Sequence, residues 1–188
     1  MKKEIDNKKA IIIIIALFAF FIAPVYARMS AEIIAKGGII ASPYLNFDGD
    51  IADVDVGFTV GGEGYIYVWE NIGLGGGITY LFDTDIENTA KKISNTNVYL
   101  SVKPKIVFEN KEITALYFIG QLGASKAEIR IIDDCGMGIY VAGGVGIEAN
   151  WFIAELTYSY NNWAVKADDA KRAALYTLCM NIGYRFAI

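Results

Sequence analysis

The chain has 188 residues, of which 54% are hydrophobic, and its 21 acidic and 17 basic residues give a net charge of −4. An acidic chain without a basic stripe is a poor candidate for binding nucleic acid. The sequence contains no histidine, which excludes a Ser-His-Asp hydrolase and histidine-based metal sites. Its two cysteines, Cys135 and Cys179, are too few for a disulfide scaffold, and we expect both to be unpaired.

The N-terminal segment has the pattern of a secretory signal. Lysines precede an uncharged apolar run at residues 11–24, and Val25, Tyr26 and Ala27 supply small residues at the usual cleavage spacing. The run is shorter than the about 20 residues that a membrane-spanning helix needs. We therefore predict a cleaved signal peptide over residues 1–27 and a single domain over residues 28–188, with a retained signal anchor as the alternative.

Eight segments then alternate apolar with small or polar residues, and a side-chain period of two is typical of β-strands. The predicted strands cover residues 34–47, 54–69, 73–82, 96–108, 113–125, 137–148, 152–160 and 174–186. Short connections alternate with longer acidic ones at residues 48–53, 83–95, 126–136 and 161–173. This asymmetry predicts an all-β fold, an eight-stranded antiparallel up-and-down transmembrane barrel with both chain ends on the side of the short turns.

The two faces of the predicted strands differ in composition. In the fourth strand, Val98, Leu100 and Val102 alternate with Tyr99 and Ser101. A water-facing surface carries densely mixed charges, whereas the polar face here has mostly small residues and isolated charges. The polar face therefore predicts a narrow lumen and the apolar face a lipid-facing exterior. A soluble barrel is the alternative, but its interior would be apolar.

Aromatic residues at the strand ends predict two belts at the membrane interfaces. The predicted belt near the long connections contains Phe47, Tyr80, Phe82, Tyr158, Tyr160 and Trp163.

Seven charged residues fall within strands on the polar face: Lys36, Glu63, Lys103, Lys105, Glu148, Glu155 and Arg185. A lysine or arginine that faces lipid at the midplane costs roughly 2–4 kcal/mol, so these side chains should point inward. Eight strands enclose room mainly for side chains, and opposite charges held there must pair. We predict a lumen ion-pair network that plugs the barrel and fixes its register. A gate that opens under some condition is the alternative interpretation.

Asp48, Asp50 and Asp53 faintly resemble a calcium loop. Ile51 stands where an EF-hand loop has its glycine, so we expect solvated acidic loop tips and keep a metal site as the weaker alternative. The glycine-rich stretches are not followed by a predicted helix, which argues against dinucleotide binding. We expect no cofactor.

The predicted signal, the strand rhythm, the turn asymmetry and the C-terminal strand at residues 178–186 together resemble the small eight-stranded outer-membrane barrels, of the OmpA membrane domain, OmpX and OmpW types. The resemblance implies assembly in a bacterial outer membrane, contact with its lipid, and recognition of the C-terminal strand by the barrel assembly machinery. We expect a monomer without enzyme activity or a nucleic-acid partner. Two functions stay open: a structural and surface-interaction barrel with a closed lumen and acidic loops, and a narrow channel for small solutes or small hydrophobic molecules.

Overall fold

The computed structural model describes residues 30–47, 49–69, 71–87, 92–108, 113–130, 135–165 and 168–187. These residues form nine strands: β1 (Ser30–Phe47), β2 (Asp50–Asp53), β3 (Gly57–Trp69), β4 (Ile72–Asp85), β5 (Lys92–Val107), β6 (Ala115–Arg130), β7 (Cys135–Ala149), β8 (Phe152–Val165) and β9 (Asp168–Ala187). Hydrogen-bonded neighbours are antiparallel, and β1 also pairs with β9, which closes the sheet into a barrel. The predicted signal peptide at residues 1–27 lies outside the described residues.

Within the residues that the structure describes, no helix is long and apolar enough to cross a membrane.

The closed barrel has eight strand positions, which confirms the predicted fold class. β2 and β3 share one of these positions, because β2 pairs with the far half of β1 and β3 pairs with its near half. Between them, Val54 bridges Ile86, so the sheet stays closed across the break. The predicted second strand, residues 54–69, therefore starts in the break at residues 54–56, and β3 forms the rest of it.

The two ends of the barrel differ, and we name them by their connections. The turn end carries Ser30, Ala187 and the short turns, including Asn150, whose φ of 54° lies in the left-handed region that asparagine tolerates. The hairpin end carries the connections β1–β2, β4–β5, β6–β7 and β8–β9.

The extent predicted for the four long connections is wrong, because strands continue through most of them. β8 runs to Val165 and β9 begins at Asp168, where a connection over residues 161–173 was predicted. One physical reason is a pair of β-bulges, between Ala41 and Tyr44 in β1 and between Leu81 and Thr84 in β4, the strands on either side of the β2–β3 position. Each bulge adds a residue and shifts the side-chain phase, so a single period of two fails across it.

Beyond the bulges, the interior of the barrel is apolar. We call this buried group the apolar cap: Ile40, Leu45, Val54, Leu81, Ile86, Ile93, Ala127, Trp163, Ala173, Leu175 and Cys179. Cys179 is a free thiol, and the side chain of Cys135, at the start of β7, is outside the described side chains. The cap closes the hairpin end of the lumen by ordinary hydrophobic packing.

At the same level the outer surface changes from apolar to charged, which is opposite to the change in the interior. Along the middle of the barrel, large apolar side chains face outward, and Leu100 is 77% exposed. At the hairpin end, six carboxylates are exposed on the outside of β2, β4 and their flanks: Asp50, Asp53, Asp55, Asp83, Asp85 and Glu87. An exposed apolar band suits lipid and an exposed charged surface suits water. We therefore expect the surroundings to change from lipid to water near the level of the bulges.

The prediction of Trp163 as part of an interface belt is wrong. Its ring is fully buried in the apolar cap, and its Nε1 donates a hydrogen bond to Ser125 Oγ at 2.9 Å. Trp163 has the same parity along β8 as the inward-facing Glu155 and Asn161, and no bulge intervenes in the pairing of these residues with β7. The parity of Trp163 along β8 therefore determines that its side chain points inward, whereas the belt prediction used only its nearness to the strand end.

Gly75 gives a test of lumen packing. A Cβ at Gly75 would lie 2.0 Å from the carbonyl oxygen of Gly64 and 2.8 Å from the ring of Tyr65, whereas a Cβ at Gly64 would meet nothing within 4 Å. We expect Gly75→Ala to lower the free energy of unfolding by about 1–3 kcal/mol, the usual cost of overpacking. Gly64→Ala is the matched control and should leave the urea midpoint unchanged or slightly raised. Equal midpoints for the two variants would contradict this packing.

Candidate functional site in the lumen

A buried triad of charges occupies the middle of the lumen. Lys36 projects from β1 between Glu63 on β3 and Glu155 on β8. Its Nζ lies 2.7 Å from Glu63 Oε1 and 2.8 Å from Glu155 Oε1, and all three side chains are at most 3% exposed. Lys36 is paired with Gly183 on β9, where an added Cβ would lie 3.0 Å from the Cβ of Lys36, so this glycine leaves room for it. We call these three residues the central triad.

Neutral donors add hydrogen bonds to both oxygens of each carboxylate in the central triad. Tyr65, Tyr99 and Gln121 donate to Glu63, and Tyr117 and Asn181 donate to Glu155, at distances of 2.8–3.3 Å. Burial of a carboxylate is costly unless it is paired and hydrogen-bonded. The five donors therefore allow two carboxylates to share one ammonium group inside the barrel.

A second charged cluster lies nearer the turn end. Lys103 Nζ is 2.8 Å from both Glu32 Oε1 and Glu148 Oε1. Lys105 Nζ contacts the same two carboxylates at 3.0 and 2.7 Å. Arg185 adds a third cation, with Nη1 at 2.7 Å from Glu148 Oε2 and 3.6 Å from Glu32 Oε2. We call these five residues the turn-end cluster.

Two tyrosine rings connect the clusters. Lys103 Nζ lies 5.1 Å from the ring centre of Tyr65 and 4.3 Å from that of Tyr117, within the range of cation–π attraction. The hydroxyls of the same rings reach Glu63 and Glu155 in the central triad. One continuous polar network therefore runs from the turn end to the middle of the barrel.

The structure places all seven charged residues selected from the sequence on the lumen side, in these two clusters. Sequence reasoning missed the eighth, Glu32, because the first strand was predicted to begin at residue 34, whereas β1 begins at Ser30. Two signals could have found it. Glu32 has the same parity as Lys36, and the seven selected residues contain four cations but three carboxylates. With Glu32 included, the network is electrically neutral.

Two spaces lie within the lumen that the described residues enclose. A cavity of about 40 Å³ lies between the central triad and the apolar cap, lined mostly by amides and hydroxyls such as those of Asn97, Thr157 and Thr177. A pocket of about 270 Å³ lies at the turn end, lined in part by Lys105 and Arg185. The smaller cavity has room for a few water molecules. The polar network fills the lumen between these two spaces.

Two of the three residues proposed as a weak metal candidate belong to the part of the chain that the structure describes. Asp48 lies outside the described residues, and Asp50 and Asp53 are exposed at the two ends of β2. Among the residues that the structure describes, no group of three or more cysteine, aspartate or glutamate side chains is placed to hold a metal ion.

Comparisons with known proteins agree with this architecture. The model of the outer membrane protein beta-barrel domain family matches residues 13–150. The fold is similar to that of Neisserial surface protein A (NspA), with a TM-score of 0.52 and 11% identity over 84% of this chain and 97% of that chain. Ail, the attachment invasion locus protein of Yersinia pestis, is 18% identical over 84% of this chain and 98% of its own, with a TM-score of 0.48. The outer membrane protein OprG from Pseudomonas aeruginosa is 12% identical over 84% of this chain and 95% of its own, also with a TM-score of 0.48. A search of the curated proteins finds no match.

Proposed function

The chain belongs to the outer membrane protein β-barrel domain family, and from this premise we propose a closed barrel with a structural and surface-interaction role. The observation that carries the proposal is the filled lumen. Its eight charged groups have ion-pair partners within 3.0 Å, and seven of them have side chains at most 6% exposed. Moving such groups aside for a solute would separate buried opposite charges, which is costly.

The proposal assigns the hairpin end to the cell surface and the turn end to the periplasm. In outer-membrane barrels the short turns face the periplasm and the longer connections face outward. The exposed carboxylates of β2 and β4 would then be presented to the surroundings of the cell. An acidic surface of this kind favours basic partners by electrostatic attraction.

The proposal also covers the export of the protein, its insertion into the membrane and its oligomeric state. The signal peptide directs export, the barrel assembly machinery inserts the chain through its C-terminal strand, and the barrel stays monomeric with its apolar band in lipid. The lack of histidine and the neutral, fully paired network support a role without enzyme activity. We assign it no nucleic-acid partner, in line with the net charge of −4.

A narrow channel is the second candidate, and the small polar cavity beyond Lys36 is the observation that favours it. A solute-swelling assay on liposomes separates the two functions. Liposomes that contain the folded barrel should swell in isosmotic glycine or arabinose no faster than protein-free liposomes. Lys103→Ala and Glu63→Ala, which remove one charge from each cluster, test whether loosening the network opens a path. Swelling by the unmodified barrel that depends on solute size would contradict the closed lumen and establish the channel.

A further inference from the structure

The pocket at the turn end is lined by two cations of the turn-end cluster, Lys105 and Arg185, and by its two carboxylates, Glu32 and Glu148. The third cation, Lys103, is buried behind this lining and contacts both carboxylates, so the cluster as a whole has one excess positive charge. The compensating negative charge belongs to the central triad, which lies on the far side of Lys103 and the rings of Tyr65 and Tyr117. A molecule in the pocket therefore meets the positive end of the network first.

Arg185 is the accessible cation of this cluster. Its side chain is 20% exposed, whereas those of Lys103 and Lys105 are 1% and 6% exposed. Its Nη1 donates to Glu148 and its Nη2 donates to the carbonyl oxygen of Asn150, but its buried Nε–H has no hydrogen-bond partner. A guanidinium group has five N–H donors, and because Nε has almost no accessible surface, the donors that remain for an acceptor in the pocket are the second N–H groups of Nη1 and Nη2.

The pocket also limits what can bind. Its volume of about 270 Å³ is at the small end of the range for ligand sites. Ser30, Tyr67 and Thr114 line it beside the four charged residues, and the hydroxyls of Tyr67 and Thr114 donate to Glu32 and to the carbonyl oxygen of Glu148. Guanidinium and ammonium groups with nearby hydroxyls suit a carboxylate or phosphate group, which arginine can hold with two parallel hydrogen bonds.

We propose that the turn-end pocket binds a small soluble oxyanion, a carboxylate or phosphate group, with Arg185 as its main contact. The site goes beyond the closed-barrel function, because it lies outside the filled part of the lumen and requires no passage through it. The inward-facing Lys105 and Arg185 lie inside the mouth of the barrel, which favours a soluble molecule over a lipid headgroup.

The test is an NMR titration of the isotope-labelled full-length mature barrel in nanodiscs of zwitterionic lipid. Inorganic phosphate and acetate are added at constant ionic strength, with chloride as the reference salt. We expect saturable shifts confined to turn-end residues such as Thr114 and Arg185, and no comparable saturation with chloride. Shifts that grow linearly and equally with chloride would overturn the proposal, since they would indicate general screening. Loss of the response in nanodiscs with anionic lipid would also overturn it, because a headgroup would then be the occupant.

Variants locate the site. Arg185→Gln should raise the half-saturating concentration of phosphate at least tenfold, as loss of charge-assisted hydrogen bonds implies. Arg172→Gln removes an exposed arginine at the hairpin end and should leave that concentration unchanged. Ala187→Glu keeps every charge of the turn-end cluster and places a carboxylate at the pocket mouth, so it should suppress the response while the barrel stays folded. An unchanged response in both Arg185→Gln and Ala187→Glu would refute the assignment, whatever the outcome of the swelling assay.

Discussion

Lys36→Met should lower the free energy of unfolding by about 3–5 kcal/mol, the usual cost of removing one partner from a buried ion pair. Methionine preserves much of the side-chain length but leaves Glu63 and Glu155 without the ammonium group that both contact within 2.8 Å. Urea titration of the barrel refolded in lipid vesicles measures the change. Lys126→Met is the matched control, because Lys126 lies in an exposed pair with Glu128 and such pairs contribute little.

A double variant separates electrostatics from packing. Lys36→Met/Glu155→Gln removes one carboxylate together with the ammonium group and leaves Glu63 with its three neutral donors. We expect it to recover part of the stability lost in Lys36→Met, since fewer unpaired charges remain buried. The electrostatic account is refuted if Lys36→Met unfolds at the same urea concentration as Lys126→Met.

Trp163→Ala should lower the free energy of unfolding by a similar amount, about 3–5 kcal/mol, because it leaves a cavity in the apolar cap. The change also removes the Nε1 donor to Ser125 Oγ. Trp69→Ala is the matched control, since Trp69 is 63% exposed near the turn end. Urea midpoints of the two variants give the comparison.

The same variant tests whether the apolar cap or the polar network blocks the passage of solutes through the lumen. Liposomes with Trp163→Ala should remain impermeable to small sugars, because the central triad and the turn-end cluster still fill the lumen. If Trp163→Ala is no less stable than Trp69→Ala, the cap does not contribute the packing described here. If it admits sugars, the polar network is not the barrier.

The alternation of side chains made the membrane-spanning part of the fold predictable. Between the bulges and the short turns, one period of two assigns each residue to lipid or lumen, and strand positions such as Val98, Leu100 and Val102 all face outward. Beyond the bulges the same rule fails, because the phase shifts and the surroundings change together. Ile86 and Ile93 are apolar and buried there, although both lie in the connection that the sequence predicts over residues 83–95.

The composition of the lumen network was predictable, but its contacts were not. The cost of a charge facing lipid is enough to direct Lys36 and Glu63 inward. Which carboxylate meets which cation depends on strand stagger, which brings Glu155 to Lys36 across 119 positions of sequence. The role of Tyr117 was equally hidden, since an aromatic residue on a polar face gives no sign that its hydroxyl will reach Glu155 and its ring Lys103.

The central claim is that apolar side chains of the middle of the barrel face lipid while its charges face inward, and that this order reverses at the hairpin end. Fluorophores on single cysteines at Leu100 and Glu128, in a Cys135→Ser/Cys179→Ser background, test it directly. In vesicles, bromine on the lipid chains should quench the label at position 100 strongly, and aqueous iodide should quench the label at position 128. Strong iodide quenching at position 100, with no effect of the brominated lipid, would contradict the claim.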